Sequence, residues 1–203
     1  MTGRSDVELM LAVKAGDENA FTELVDRHRD AVVNLTYRYL GNQTDAEDLA
    51  QEVFLKVYRA RGRYEPSAKF TTWLYRVAAN ACLNEVRDRR RRPTFSAAAL
   101  GAGDEPSAHA ADRAATSPPE EAERSELREQ VRTALAELPE RQRLALLLNK
   151  FHGLGYEEMA ESLAMSVPAV KSLLVRAREN LRLRIEPYLR AGIDRAPERR
   201  GAG

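Results

Sequence analysis

Residues 156–178 read "YEEMAESLAMSVPAVKSLLVRAR", and their spacing sets the fold. Two short helices that meet at a tight turn need a small residue where they nearly touch, with apolar anchors on both sides. Ala160 is the small contact, and Met159, Leu163, Met165, Val170 and Leu174 are the anchors. Ala164 lies at the turn, where glycine would be easier. Ser166 can cap the second helix, and Pro168 fits its first turn, where no internal hydrogen bond is lost. The pattern predicts a helix-turn-helix whose second helix enters a major groove by its N-terminal half. Ser166, Ala169, Lys171 and Ser172 would be exposed there, with Arg176, Arg178 and Arg182 following toward phosphates. A plain helical hairpin with a basic outer face is the competing reading, and the coincidence of anchors, turn and cap weighs against it. Just upstream, Lys150 and His152 can add backbone contacts, although a histidine before Gly153 also serves as an ordinary cap or surface residue.

Helical periodicity continues on both sides of this stretch. Upstream, "EEAERSELREQVRTALAEL" precedes Pro139, which can occupy the first turn of "PERQRLALLLNKF" before Gly153 and Gly155 break that helix. Downstream, the pattern fades near residue 187, and the end, "APERRGAG", reads as a disordered tail. Residues 93–119 are rich in Ala, Gly, Pro and Ser and poor in large apolar residues, so they read as a flexible linker with room for a short helix. Before that linker the pattern is helical from Ser5. Gly16 stops a first helix, Asp17 caps a second that Gly41 ends, and Thr44 with Glu47 has capping-box spacing for a third. No segment sustains period-two alternation. The expected architecture is all-α, with two small helical domains at 5–92 and 120–187, a linker at 93–119 and a tail at 188–203.

Composition narrows the function classes. The 203 residues are 43% apolar, and 32 Lys plus Arg nearly cancel 31 Asp plus Glu. Net charge therefore points to no partner, and the placement of charge has to be read instead. Cys82 is the single cysteine, so a disulfide framework or Cys-rich zinc site within the chain is excluded. No apolar run reaches the roughly 18 residues of a membrane span, and "MTGRSDVELM" lacks a signal-peptide core, so a cytoplasmic protein is expected.

Charge is concentrated in residues 70–92, "FTTWLYRVAANACLNEVRDRRRR", which end with five arginines in six positions. On a helical wheel Phe70, Leu74, Val77, Ala78 and Ala81 share a core face. Arg76, Asn80, Asn84, Arg87 and Arg91 form a polar stripe, with Trp73 at its border. Asn and Arg can address base edges and phosphates, and Trp73 and Tyr75 offer flat faces to an unstacked base. A dipole-complementing, solvated helix end would account for two or three arginines. Five repel one another enough to favour a polyanionic partner. A third feature, "TDAEDLAQEVF", sets Asp45, Asp48, Gln51 and Glu52 on the outside of a helix. Dipole complementarity covers the first-turn acids, and the rest can be a solvated face or a partner surface.

These three pieces, in this order, resemble the extracytoplasmic-function sigma factors of bacterial RNA polymerase, over about residues 6–185. "DAEDLAQEVFLKVYR" is similar to the family's polymerase-binding helix, residues 70–92 to its promoter-melting helix, and the stretch from Leu138 to Arg182 to its second DNA-binding domain. The resemblance implies that Asp45, Asp48, Leu49, Gln51 and Glu52 dock on core RNA polymerase. It implies that Tyr64, Lys69, Trp73, Arg76, Asn80, Asn84 and Arg87 serve the minus-ten element, with the loop from Tyr64 to Lys69 holding a flipped base. It assigns Ser166, Ala169, Lys171, Ser172, Arg176 and Arg178 to duplex DNA at the minus-thirty-five element. It also implies an anti-sigma protein, often membrane-bound, that releases the chain on a stress signal. Leu173 and Val175 depart from the basic or polar residues frequent there, so they either touch thymine methyl groups or pack inward. Polymerase would supply the catalysis. No active site, cofactor, metal or small-molecule substrate is expected, and His28, His109 and His152 lie near no patterned nucleophile.

Overall fold

The computed structural model describes residues 3–91 and 118–195, and among these the regular structure is helical. Four helices form the N-terminal bundle: α1 (Asp6–Lys14), α2 (Glu18–Leu40), α3 (Gln43–Arg59) and α4 (Phe70–Arg91). A 3₁₀ turn, Arg61–Arg63, leads into the loop before α4. The C-terminal bundle holds α5 (Pro118–Ala136), α6 (Glu140–Phe151), α7 (Tyr156–Leu163) and α8 (Val167–Arg195).

Local chemistry places the helix ends. Ser5 and Glu8 form a reciprocal capping box on α1, the Ser5 N–H donating to Glu8 at 2.7 Å. Asp17 accepts the Ala20 N–H at 3.1 Å to start α2, and Gly41 ends it at φ 78°, a conformation other residues rarely adopt. The cap of α3 is Asn42, not Thr44. Leaving the left-handed glycine, the chain is extended at Asn42, whose short amide accepts the Asp45 N–H at 2.9 Å. Thr44 is already inside the helix. Inside the bundle, the buried Thr36 hydroxyl lies 2.9 Å from the Ala46 carbonyl, tying α2 to α3 across an otherwise apolar contact. Leu9, Met10, Leu35, Val53, Phe70 and Leu74 fill the core around it. Cys82 is fully buried there, and burial pushes its thiol up to about 12.

In the C-terminal bundle, Leu144, Leu147, Met159, Val170 and Leu174 are the central apolar residues. Pro139 caps α6 from just outside its first turn, and α5 starts at Pro118. α7 ends at Ala164, φ 50° and ψ 52°, which confirms the strained turn. Ser166 then accepts the Ala169 N–H at 3.4 Å, and Pro168 sits in the first turn of α8. α8 continues to Arg195 with Pro187 inside it, so the tail expected from 188 is helical through 195. Glu186 pairs with Arg182 and Arg190 at i,i±4 spacing, which supports the turns on either side of the proline. Residues 92–117 and 196–203, with most of the expected linker and His109, lie outside the described residues.

The two bundles are packed against each other. α4 rests on α7 and α2 on α6, and their buried residues form one continuous apolar cluster. The Ser162 hydroxyl donates to the Thr72 carbonyl at 3.1 Å, and both side chains are buried. Tyr75 Oη lies 2.9 Å from His152 Nδ1. The Arg38 guanidinium sits 4.2 Å from the Phe151 ring centroid and Arg143 sits 4.4 Å from that of Tyr39, a cation–π pair in each direction.

Candidate nucleic-acid and polymerase interfaces

The helical period of α4 separates its core residues from its polar ones. Phe70, Leu74, Ala78 and Ala81 are buried, while Arg76, Asn80, Asn84, Arg87 and Arg91 are exposed along one stripe. The terminal arginines are not equivalent. Arg89 folds back between Glu85 at 2.7 Å and Asp45 at 2.8 Å, and Arg90 reaches Glu140 at 2.8 Å. Arg87, 4.0 Å from Asp88, is barely engaged. The mutual repulsion inferred from five adjacent arginines is thus partly relieved by the chain's own carboxylates.

A cleft opens at the N-terminal end of the stripe. Arg63, Ser67, Thr72, Trp73, Arg76 and Glu161 line it. The half-buried Trp73 is fixed by aromatic packing, its ring edge-on to Tyr64 at 5.1 Å and tilted against Phe70 at 5.9 Å. Tyr64 is 1% exposed and backs the cleft from the core, so its ring supports Trp73 and does not itself face a ligand. Lys14 holds this loop from behind, its ammonium donating to the Tyr64 carbonyl at 2.9 Å. Tyr75 is likewise buried, under His152, and offers no free face for stacking. A second cleft lies farther along α4, between Asn80, Asn84, Arg87 and Arg91 on one side and Glu140 and Arg141 on the other.

On the helix-turn-helix, Ser166, Lys171, Ser172, Arg176 and Arg178 are exposed and Ala169 is half-buried. Arg178 donates to Asn149 at 3.1 Å, and Lys171 lies 5.4 Å from the Tyr156 ring centroid. The two departures resolve differently: Leu173 packs inward at 7% exposure, and Val175 faces solvent at 64%. On α3, Asp48, Gln51 and Glu52 share the exposed side, with Glu52 paired to Lys56 at 2.8 Å. Leu49 turns inward at 4% exposure, because it is one of the residues that seat α3 on the core. Asp45 is drawn toward Arg89 and away from that outer side. The exposed Leu55, one turn beyond Gln51 at i+4 spacing, adds an apolar side chain to the acidic surface.

The two histidines among the described residues, His28 and His152, are held in structural contacts. His28 Nε2 meets Asp6 at 2.8 Å beside the Phe70 ring. His152 is held down to about 4 by burial and by the nearby Arg38 charge, and its Nε2 is buried with no hydrogen-bond partner. Among the described residues, no group of three or more His, Cys, Asp or Glu is placed to hold a metal ion, and no helix is long and apolar enough to cross a membrane.

Comparison with known proteins follows the same division. Residues 24–92 match the family described as Sigma-70 region 2, and residues 128–181 match Sigma-70, region 4. The chain is 35% identical over 190 residues to RNA polymerase sigma-H factor of Pseudomonas aeruginosa, spanning 94% of this chain and 98% of that protein. It is 34% identical to the ECF RNA polymerase sigma-E factor of Escherichia coli, covering 92% and 97% of the two chains. With the ECF RNA polymerase sigma factor SigW of Bacillus subtilis the figures are 36%, 84% and 91%. Among solved structures, CnrH in complex with the cytosolic domain of CnrY matches with a TM-score of 0.65 and 26% identity, covering 91% of this chain and 99% of that one.

Proposed function

The chain belongs to the extracytoplasmic-function sigma factors, non-catalytic subunits that direct RNA polymerase in transcription initiation, and from that premise we propose how its surfaces divide the work. The outer side of α3, with Asp48, Gln51, Glu52 and Leu55, docks on core RNA polymerase. The C-terminal bundle grips duplex DNA at the minus-thirty-five element through Lys171, Ser172, Arg176 and Arg178, and Val175 can meet a thymine methyl group. The N-terminal bundle takes the melted minus-ten strand along Arg76, Asn80, Asn84 and Arg87, with one flipped base in the Trp73 cleft. The chain works in the cytoplasm and is restrained by an anti-sigma protein.

The observation that carries this reading is the exposed Asn/Arg stripe of α4 running out of an aromatic-backed cleft. Flipping a base costs a few kcal/mol of stacking, and contact with an aromatic face returns about 1–3 kcal/mol per base. Gripping duplex with the second bundle costs no melting, so its binding energy holds the promoter while the first bundle captures the strand. Phosphate contacts provide affinity and base contacts provide selection. The test is transcription in vitro from random promoter fragments with core polymerase, mapping the start sites. Defined start sites that share two spaced elements are expected. Failure to direct initiation with any bacterial core enzyme, by a chain that binds duplex operators well unaided, would refute the reading.

A further inference from the structure

We infer that Lys14, on α1, is a positioning residue for base selection: by fixing the Tyr64 carbonyl it sets the shape of the Trp73 cleft. This rests on the assignment of that cleft to a flipped base. Lys14 stands in the last turn of α1, before residues 24–92 that match Sigma-70 region 2. A lysine at a helix C-terminus ordinarily stays solvated and complements the dipole. The Lys14 ammonium instead crosses 50 residues of sequence to donate to the Tyr64 carbonyl at 2.9 Å. It does not line the cleft, so any effect it has on a base passes through the loop it holds.

Tyr64 is the pivot of that loop. Its N–H closes the 3₁₀ turn on the Arg61 carbonyl at 3.2 Å. Its ring is buried against Phe70 and Trp73. Its backbone then turns extended, at ψ 128°, and the chain runs through Pro66 toward α4. The cleft takes Arg63 from before this pivot and Glu65, Ser67 and Ala68 from after it. Because the peptide group is planar, the direction of the Tyr64 carbonyl and the direction in which Glu65 departs are one degree of freedom. Past the pivot, the Ser67 N–H meets the Glu65 carbonyl at 2.8 Å, and Pro66 has no N–H to add. That bond shapes the loop internally, whereas the one from Lys14 aims it by anchoring it to α1. A loop aimed in advance loses less freedom on capture and shows its polar groups to a base in one geometry. Lys14 is exposed and takes no part in the apolar cluster, so removing its ammonium frees the loop without opening the core.

The experiment uses holoenzyme assembled from the full chain and core RNA polymerase, with promoter duplexes premelted over the minus-ten element. Each premelted position carries the four bases in turn, and affinity is measured for every template. The chains compared are native, Lys14→Met, Lys14→Arg and Arg4→Met. Arg4→Met removes an ion pair of the same bundle, to Asp17 at 3.2 Å, that lies away from the loop. A well-held base is discriminated by about tenfold or more in the native chain. In Lys14→Met the preference at the flipped position should fall to about twofold, the change expected when a base contact loses its geometry. Preferences at the other premelted positions and at the minus-thirty-five element should hold. Lys14→Arg keeps a charged donor and should restore the preference, and Arg4→Met should leave it as in the native chain. Undiminished selection by Lys14→Met overturns the inference. So does a loss spread evenly over all premelted positions, or an equal loss in Arg4→Met, since either marks a general loosening of the bundle. A native chain that selects no base at any premelted position refutes the cleft assignment itself.

Discussion

His152 gives the contact between bundles a pH dependence whose sign follows from its burial. In the packed arrangement its Nδ1 meets Tyr75, its Nε2 has no partner, and the ring is held down to about 4 by burial first and Arg38 second. An unburied histidine titrates near 6.5. The packed form thus prefers the neutral ring, and its stability is fully present above that value. As pH falls from about 6.5 toward 4, protons bind the open or unfolded chain first and stability is lost. With those two values the loss is about 2 kcal/mol by pH 5 and approaches about 3 kcal/mol below pH 4. Glu158, held below its usual range, loses its contribution only at lower pH. Substitution His152→Phe keeps a ring against Tyr75 and removes the proton site and the orphaned nitrogen. Denaturant unfolding at pH 7 and pH 5, native against variant, should show the native chain losing about 2 kcal/mol more than the variant. A proton NMR titration of the His152 ring should place its midpoint well below 6. Parallel stability curves, or a midpoint near 6.5, would refute the reasoning.

Other consequences can be checked more briefly. Ala164→Gly relieves a left-handed alanine and should stabilise the chain by about 1 kcal/mol in denaturant unfolding. Thr36→Val leaves the Ala46 carbonyl without its partner across α2 and α3, and should cost about 1–3 kcal/mol by the same measure. The pair Asp48→Ala/Glu52→Ala, both outside the core, should weaken binding to core polymerase at least tenfold in a fluorescence assay while circular dichroism stays unchanged. Arg87→Ala should reduce the salt slope of promoter binding by roughly 1, read from affinities at several salt concentrations.

The sequence makes the elements legible because helix signals are local. Asp17, Gly41, Ser166 and the turn at Ala164 all act where their spacing places them. Two local rules mislead. Thr44 and Glu47 have the right spacing for a cap, but the left-handed Gly41 hands the chain to Asn42 first. Pro187 looks like an end, yet charge pairs on both sides carry the helix past it. The site is only half legible. The wheel identifies the exposed stripe of α4, but it cannot say what lies over it. Tyr75 reads as a stacking face until His152, 77 residues away, is seen on it. Lys69 and Glu158 are 89 residues apart, and Thr72 and Ser162 are 90 apart, separations at which no periodicity carries information.

The buried thiol has a consequence for signalling. A sulfhydryl pushed up to about 12 stays protonated at neutral pH, and Cys82 is also shielded from solvent. With no other cysteine in the sequence, peroxide has no sulfenate to make and glutathione no thiolate to cap. An oxidant that alters this chain's output through cysteine chemistry must be sensed by another molecule and relayed to it.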